Sequence, residues 1–431
     1  MFNKIKENVF FKSTIILLIG GLFGKIVGFI LRIIITRSLG TQGMGLYSML
    51  SPTSALLTTI SVFSYSNAIS KFISESSSNT KELFMSIIPF SIIFNIIIMI
   101  IFILFTPILS KNLLKQEILY YPIISLIILI PFMSISSIIK GYFWGKQNMY
   151  PYMLSNFIEQ VVRLIIVLLF INKINDQIFK ICFVILINII GEISSWIVML
   201  KYIPRNSFRN IKFRINFNEI KKTLRFCIPT TMSKIISSIS YFLEPIILTN
   251  VLLYVGYSKD YIIYEYGIIN AYSLSTLLMP QFFTQNMSTS LIPELSKQYK
   301  LNNIEMCKKR IKQIVLISSL IGTTSTLIIT VFPHVFLKLL YNTTEGIDYI
   351  RLLSVFTVFF YIEYPLVNSM QALGKTSESF RITIITSIVR ILSIIVFSLF
   401  KIGMYSLILS IIINLLLSTY LYYKELKKIL I

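Results

Sequence analysis

The sequence predicts an all-α integral membrane protein of about twelve transmembrane helices in two six-helix bundles, related by a pseudo-two-fold axis along the membrane normal. Three observations carry that prediction. Hydrophobic residues make up 55% of the 431-residue chain and charged residues only 13%, against about 25% charged in soluble domains. Apolar runs of roughly 20 residues, long enough to cross a hydrocarbon core, recur from end to end. The longest polar connection, 201–225, is too short to hold a separate soluble domain.

The apolar runs place spans 1 to 12 at 14–36, 44–69, 83–108, 119–139, 151–171, 178–200, 226–250, 267–292, 314–337, 352–373, 382–400 and 403–422. The first run lacks a small-residue cleavage site and reads as a retained helix, not a signal peptide. The net charge is +22, from 40 basic and 18 acidic residues. In a soluble chain that excess would point to nucleic acid. Here 26 basic residues fall in the termini and the connections after even-numbered spans, and 9 in the opposite set, with Lys180 at a span edge counted among the 9. Basic connections stay in the cytoplasm, so both termini are expected inside the cytoplasmic membrane, with membrane lipids as surroundings and no nucleic-acid partner.

Several function classes are excluded by what the chain lacks. Cys182, Cys227 and Cys307 have no metal or disulfide spacing and read as core filler. One histidine, His334, cannot build a metal site. A GxxxxGK[ST] phosphate loop and a zinc motif are missing. No extramembrane segment could house a nucleotide-sugar domain. The expectation is a non-enzyme without cofactor, driven by an ion gradient, the membrane potential or the substrate's own gradient.

The basic connection 201–225 separates an N-terminal bundle, 1–200, from a C-terminal bundle, 226–431. Each opens on a lysine within an apolar helical pattern, Gly24-Lys25-Ile26 and Ser233-Lys234-Ile235, followed by a polar, proline-containing span. Six spans per half keep both halves in one orientation, hence the parallel repeat.

Costly polar groups concentrate in spans 1, 2, 7 and 8. A charge at bilayer depth costs at least about 2.5 kcal/mol and normally faces a bundle interior or wet cavity. Gly21, Lys25, Gly28 and Arg32 form one helical stripe with two cations and no acid, which suggests an anionic ligand. The alternative is a packing face at Gly24 and Gly28 with Arg32 snorkelling outward. Span 7 aligns Lys234, Ser237, Tyr241 and Glu244, so Lys234 either serves the ligand or pairs internally with Glu244. Gln281 and Gln285, beside Pro280 in span 8, are candidate sugar contacts, although amides also bridge helices. Glu159 and Arg163, spaced i,i+4, read as a structural pair or coupling element. Glu192, Glu363 and Arg390 are assigned only an interior position.

The segments Gly24-Lys25-Ile26-Val27-Gly28-Phe29, Arg32, Leu39-Gly40, Gly43, Gly45-Leu46-Tyr47, Ala68-Ile69-Ser70-Lys71 and Ser290-Leu291-Ile292-Pro293-Glu294-Leu295-Ser296 resemble the stage V sporulation protein B group. That group lies within the multidrug/oligosaccharidyl-lipid/polysaccharide exporter superfamily. The resemblance implies two six-helix bundles around a cavity lined by spans 1, 2, 7 and 8. It also implies kinship with lipid II and O-antigen flippases, and it makes Lys25 and Arg32 candidate diphosphate contacts. Two departures stand out: many members have fourteen helices, and a basic residue of span 8 in the lipid II flippases is not evident here, leaving Lys234 as substitute. The leading expectation is a flippase for a lipid-linked anionic oligosaccharide, with cell-wall synthesis proteins as further partners. The competing readings are a cation-coupled multidrug exporter and a non-transporting scaffold for cell-wall enzymes.

Overall fold

The computed structural model describes residues 9–74, 80–146, 148–203 and 216–430, and every regular element among them is helical. Nine helices among the described residues are long and apolar enough to cross a membrane. They coincide with expected spans 3 to 7 and 9 to 12. The remaining three expected spans, 1, 2 and 8, are helical too, and spans 2 and 8 are interrupted within their bounds.

The first two spans form one helical run, α1 (Val9–Val62), bent at Gly40, whose φ of 64° and ψ of −177° suit a residue without Cβ. Gly40 divides α1 into a first limb bearing Lys25 and Arg32 and a second limb rich in hydroxyls. Phe63 and Ser64 break the chain again before α2 (Tyr65–Ser74). The N-terminal spans continue as α3 (Thr80–Pro107), α4 (Tyr120–Gly145), α5 (Met149–Phe170) and α6 (Gln177–Lys201). Asp176 caps α6 by accepting from the Ile178 and Phe179 amides at 2.8 and 2.9 Å, satisfying two of the orphan donors at its N-terminus. Next comes α7 (Phe217–Val255).

Expected span 8 is built from pieces. α8 (Lys259–Gly267) passes through a widened π-type turn, Ile268–Ser273, into α9 (Leu274–Leu278). Met279 and Pro280 form a turn, and α10 (Gln281–Lys300) follows. Proline removes the amide that would carry the helix through and clashes with the preceding turn. The chain finishes with α11 (Ile304–Val331), α12 (Pro333–Tyr341), α13 (Ile347–Ala372), α14 (Thr376–Leu399) and α15 (Tyr405–Leu430).

Two compact units result. One takes Met1–Gly43 and Leu50–Ser238, the other Met44–Met49 and Ile239–Ile431. This division falls inside α7, and 204–215 of the connection 201–225 lie outside the described residues. In the first unit α2 is the hub: Tyr65, Ala68, Ile69 and Phe72 pack on Leu83 and Phe84 of α3 and on Ile138, Ile139 and Phe143 of α4. Gly141 and Gly145 permit this closeness, since a Cβ on either would stand 2.8 Å from an α2 atom, the Ser66 carbonyl oxygen and the Ile73 Cβ respectively. In the second unit Leu295 and Cys307 join Leu366, Met370 and Tyr422 in a core between α10, α11, α13 and α15. Tyrosine hydroxyls knit one end of that unit. Tyr264 donates to Glu345 at 2.5 Å, Tyr349 to Glu265 at 2.6 Å and Tyr257 to the Lys401 carbonyl at 2.5 Å.

Candidate functional site

The first limb of α1 carries Lys25 and Arg32 seven residues apart, about 10 Å along a helix, and both side chains are exposed. Between them Gly28 lets the Gln160 amide of α5 approach, its Oε1 lying 3.2 Å from where a Cβ would stand. Gly21 and Gly24 are different: a Cβ there meets nothing within 4 Å among the described residues. Of these three glycines, Gly28 is the one in close contact among the described residues. Sequence reasoning passed over Gln160, which is polar but carries no charge or spacing signal.

Lys234 of α7 lies in the same unit as Lys25 and Arg32. Its Nζ donates to Ser64 Oγ at 3.3 Å, at the break between α1 and α2. The internal ion pair with Glu244 considered from sequence does not form. Ten helical residues separate the two along α7, about 15 Å, well beyond a lysine's reach. Glu244, buried in the second unit, is instead ion-paired with Arg390 of α14.

Other charged side chains also have partners. Glu159 and Arg163 pair with each other along α5. Glu192 of α6 meets Lys140 Nζ of α4 at 3.6 Å, so Lys140 belongs inside a helix and not in the connection to which the charge count assigned it. Glu363 accepts from Ser418 Oγ at 2.7 Å. A buried charge is tolerated only when paired or hydrogen-bonded, and these contacts meet that need.

The two amides of α10 have distinct surroundings. Gln281 is buried, and its Nε2 donates to the Phe360 carbonyl of α13 at 2.9 Å. That carbonyl lies five residues before Pro365 of α13. Gln285, one turn further along α10, is half-buried. The sequence-derived set thus divides: Lys25, Arg32, Lys234, Glu159 and Arg163 fall in the first unit, Glu244, Gln281 and Gln285 in the second. No group of three His, Cys, Asp or Glu residues able to hold a metal occurs among the described residues.

A family model described as polysaccharide biosynthesis protein matches residues 10–299, well over half of the chain. The chain belongs to this family. A second model, MatE, matches residues 269–396. Among curated relatives, stage V sporulation protein B of Bacillus subtilis (strain 168) is 28% identical over 89% of this chain and 77% of its own. Sporulation protein YkvU of the same organism is 26% identical over 98% and 96%. An inward-facing multidrug resistance transporter of the MATE family, MOP superfamily, superposes with a TM-score of 0.76 at 14% identity over 94% of both chains. A MOP superfamily transporter from Pyrococcus furiosus, with a binding pocket described as of reverse polarity, gives 0.66 at 15% identity over 99% and 97%. This polysaccharide biosynthesis family member is a multi-pass membrane protein with the fold seen in these MOP superfamily transporters.

Proposed function

We propose that this family member flips a lipid-linked anionic oligosaccharide, an undecaprenyl-diphosphate sugar of peptidoglycan or spore-cortex type, across the cytoplasmic membrane by alternating access. One observation carries the reading. The first limb of α1 holds Lys25 and Arg32 on a single stripe, and α1 contains no Asp or Glu at all. Two cations on one stripe of a membrane helix are costly, and an anionic ligand offsets that cost when it binds. A diphosphate leaving water for a low-dielectric site needs fixed positive charge. The prenyl tail can remain in lipid, so the protein has only the head group to carry. Lys25 and Arg32 bind the diphosphate, and Lys234 assists. The family description and the sporulation proteins among the relatives support this substrate class.

The MatE match and the multidrug transporters among the structural neighbours favour a second reading, export of a cationic drug against a proton or sodium ion. That exchange works best at a buried carboxylate. Glu244 already holds Arg390, and α1 offers no acid.

The test is a charge series at Lys25 in proteoliposomes carrying a labelled undecaprenyl-diphosphate sugar. Lys25→Ala should abolish flipping in a folded, inserted protein. Lys25→Arg should retain part of it, because charge survives while head-group geometry changes, and Lys25→Glu should be worse than Ala. A packing role expects the opposite order, with Ala equal to wild type and the bulkier Arg impaired.

A further inference from the structure

The junction of α1 and α2 is broken without the residues that normally break helices. Val62-Phe63-Ser64-Tyr65 contains neither glycine nor proline, yet Phe63 and Ser64 adopt φ of 45° and 54°. Two successive L-residues in the left-handed region are strained, the bulky phenylalanine most of all. Such a conformation persists only where its surroundings over-determine it. Those surroundings can be named. The Phe63 ring packs against Tyr65 and Phe94 at centroid distances of 5.8 and 5.4 Å. The Ser64 carbonyl restarts the helix by accepting from the Asn67 and Ala68 amides at 3.1 and 3.2 Å. The Ser66 amide is taken by Ser137 Oγ of α4 at 3.3 Å.

The remaining contacts come from one face of α7. Thr231, Lys234 and Ser238, at spacings of three and four, lie on a common helical stripe. Thr231 Oγ1 donates to Ser64 Oγ at 3.2 Å, and Lys234 Nζ donates to the same oxygen at 3.3 Å. One turn on, Ser238 Oγ and Thr59 Oγ1 of α1 lie 2.8 Å apart. Ser64 is 3% exposed and Thr231 1%, whereas the Lys234 side chain is exposed. A buried hydroxyl, fixed at a strained turn, thus anchors the ammonium of an exposed lysine. A hydroxyl oxygen has two acceptor lone pairs, and here Thr231 and Lys234 supply a donor for each. An ammonium has three N–H donors, so the bond to Ser64 aims Lys234 while leaving its charge able to meet an anion.

We infer that Ser64 is a positioning residue for Lys234 and that the broken turn at Phe63-Ser64 exists to present that ammonium to a phosphate. The inference rests on the flippase reading for its ligand class, a lipid-linked diphosphate. It adds a residue that no charge or motif in the sequence marks. A lysine on a membrane helix has a flexible four-carbon stem, and without an anchor its head samples many positions. Ser64 removes that freedom before the ligand arrives, which lowers the ordering cost of binding.

The decisive variant is Ser64→Gly. Glycine adopts φ near 54° without strain, so the break survives and only the hydroxyl is lost. Inorganic pyrophosphate is titrated against the purified full-length protein, and flipping of a labelled undecaprenyl-diphosphate sugar is measured in proteoliposomes. Loss of one charge-assisted hydrogen bond should weaken pyrophosphate binding by about fivefold or more and raise KM for flipping with little change in kcat. Ser64→Ala should do the same. In a Lys234→Ala background Ser64→Gly should add nothing, because the group it positions has gone. Unchanged pyrophosphate affinity in Ser64→Gly, or an effect that adds fully to that of Lys234→Ala, overturns the inference while leaving the flippase reading intact. Wild-type protein that binds pyrophosphate through Ser64 and Lys234 but moves no sugar lipid overturns the flippase reading and leaves the positioning role standing. Protein that neither binds nor flips overturns both.

Discussion

Arg390 keeps a quarter of its side chain exposed while its partner Glu244 is only 3% exposed. That asymmetry makes the carboxylate the dependent partner. Removing the guanidinium strands a buried charge, an effect of about 3–5 kcal/mol. Arg390→Ala should therefore lower the thermal stability of the purified protein strongly, and Glu244→Gln added to it should restore most of the loss. A single variant as stable as wild type would mean that water reaches Glu244 directly. Pairings of this kind were legible in sequence only when local. Glu159 and Arg163, one helical turn apart, could be paired by spacing alone. Glu192 with Lys140, and Glu244 with Arg390, are joined by tertiary packing between helices distant in sequence, and no local pattern marks them. Lys234 shows the same limit: its neighbours on α7 suggested Glu244, but the chain places it against Ser64 at the break between α1 and α2.

Helix contacts in the first unit turn on glycines whose roles differ. A methyl group at Gly141 would stand 2.8 Å from the Ser66 carbonyl oxygen and 2.9 Å from its Cα. Both are backbone atoms and cannot swing aside. Gly141→Ala should force α2 and α4 apart and destabilise by about 1–3 kcal/mol, whereas Gly24→Ala should leave stability unchanged or slightly raised through helix propensity. Melting of the two variants in detergent, side by side, checks the contrast, and equal stability would refute the packing described. At this scale apolar length marked nine helices well, because hydropathy is a property of each segment alone. The interruptions were less visible. Gly40 and Pro280 announce theirs. The turn at Phe63-Ser64 does not, since its causes are a serine on α4, a threonine and a lysine on α7, and aromatic neighbours.

For the molecule as a whole, the proposed orientation rests on the charge distribution. Cysteines introduced at residues 201–225 or 298–310 should be shielded from an impermeant thiol reagent in intact cells, and one near Asn342 should be labelled. The reverse pattern would invert the topology drawn from the basic connections. Orientation in turn fixes how the substrate's charge meets the membrane field. An inside-negative potential favours outward movement of an anion by about 2.3 kcal/mol per elementary charge per 100 mV. A chain without a phosphate loop has such a field, or an ion gradient, to draw on. The most direct measurement is a head-to-head assay in proteoliposomes of the purified protein, with an imposed potential and no ATP. One set carries a labelled undecaprenyl-diphosphate sugar, the other a fluorescent cationic drug. The account predicts that the sugar lipid crosses, faster when the potential drives anions outward, and that the drug stays put. Movement of the drug with no movement of the sugar lipid would contradict it.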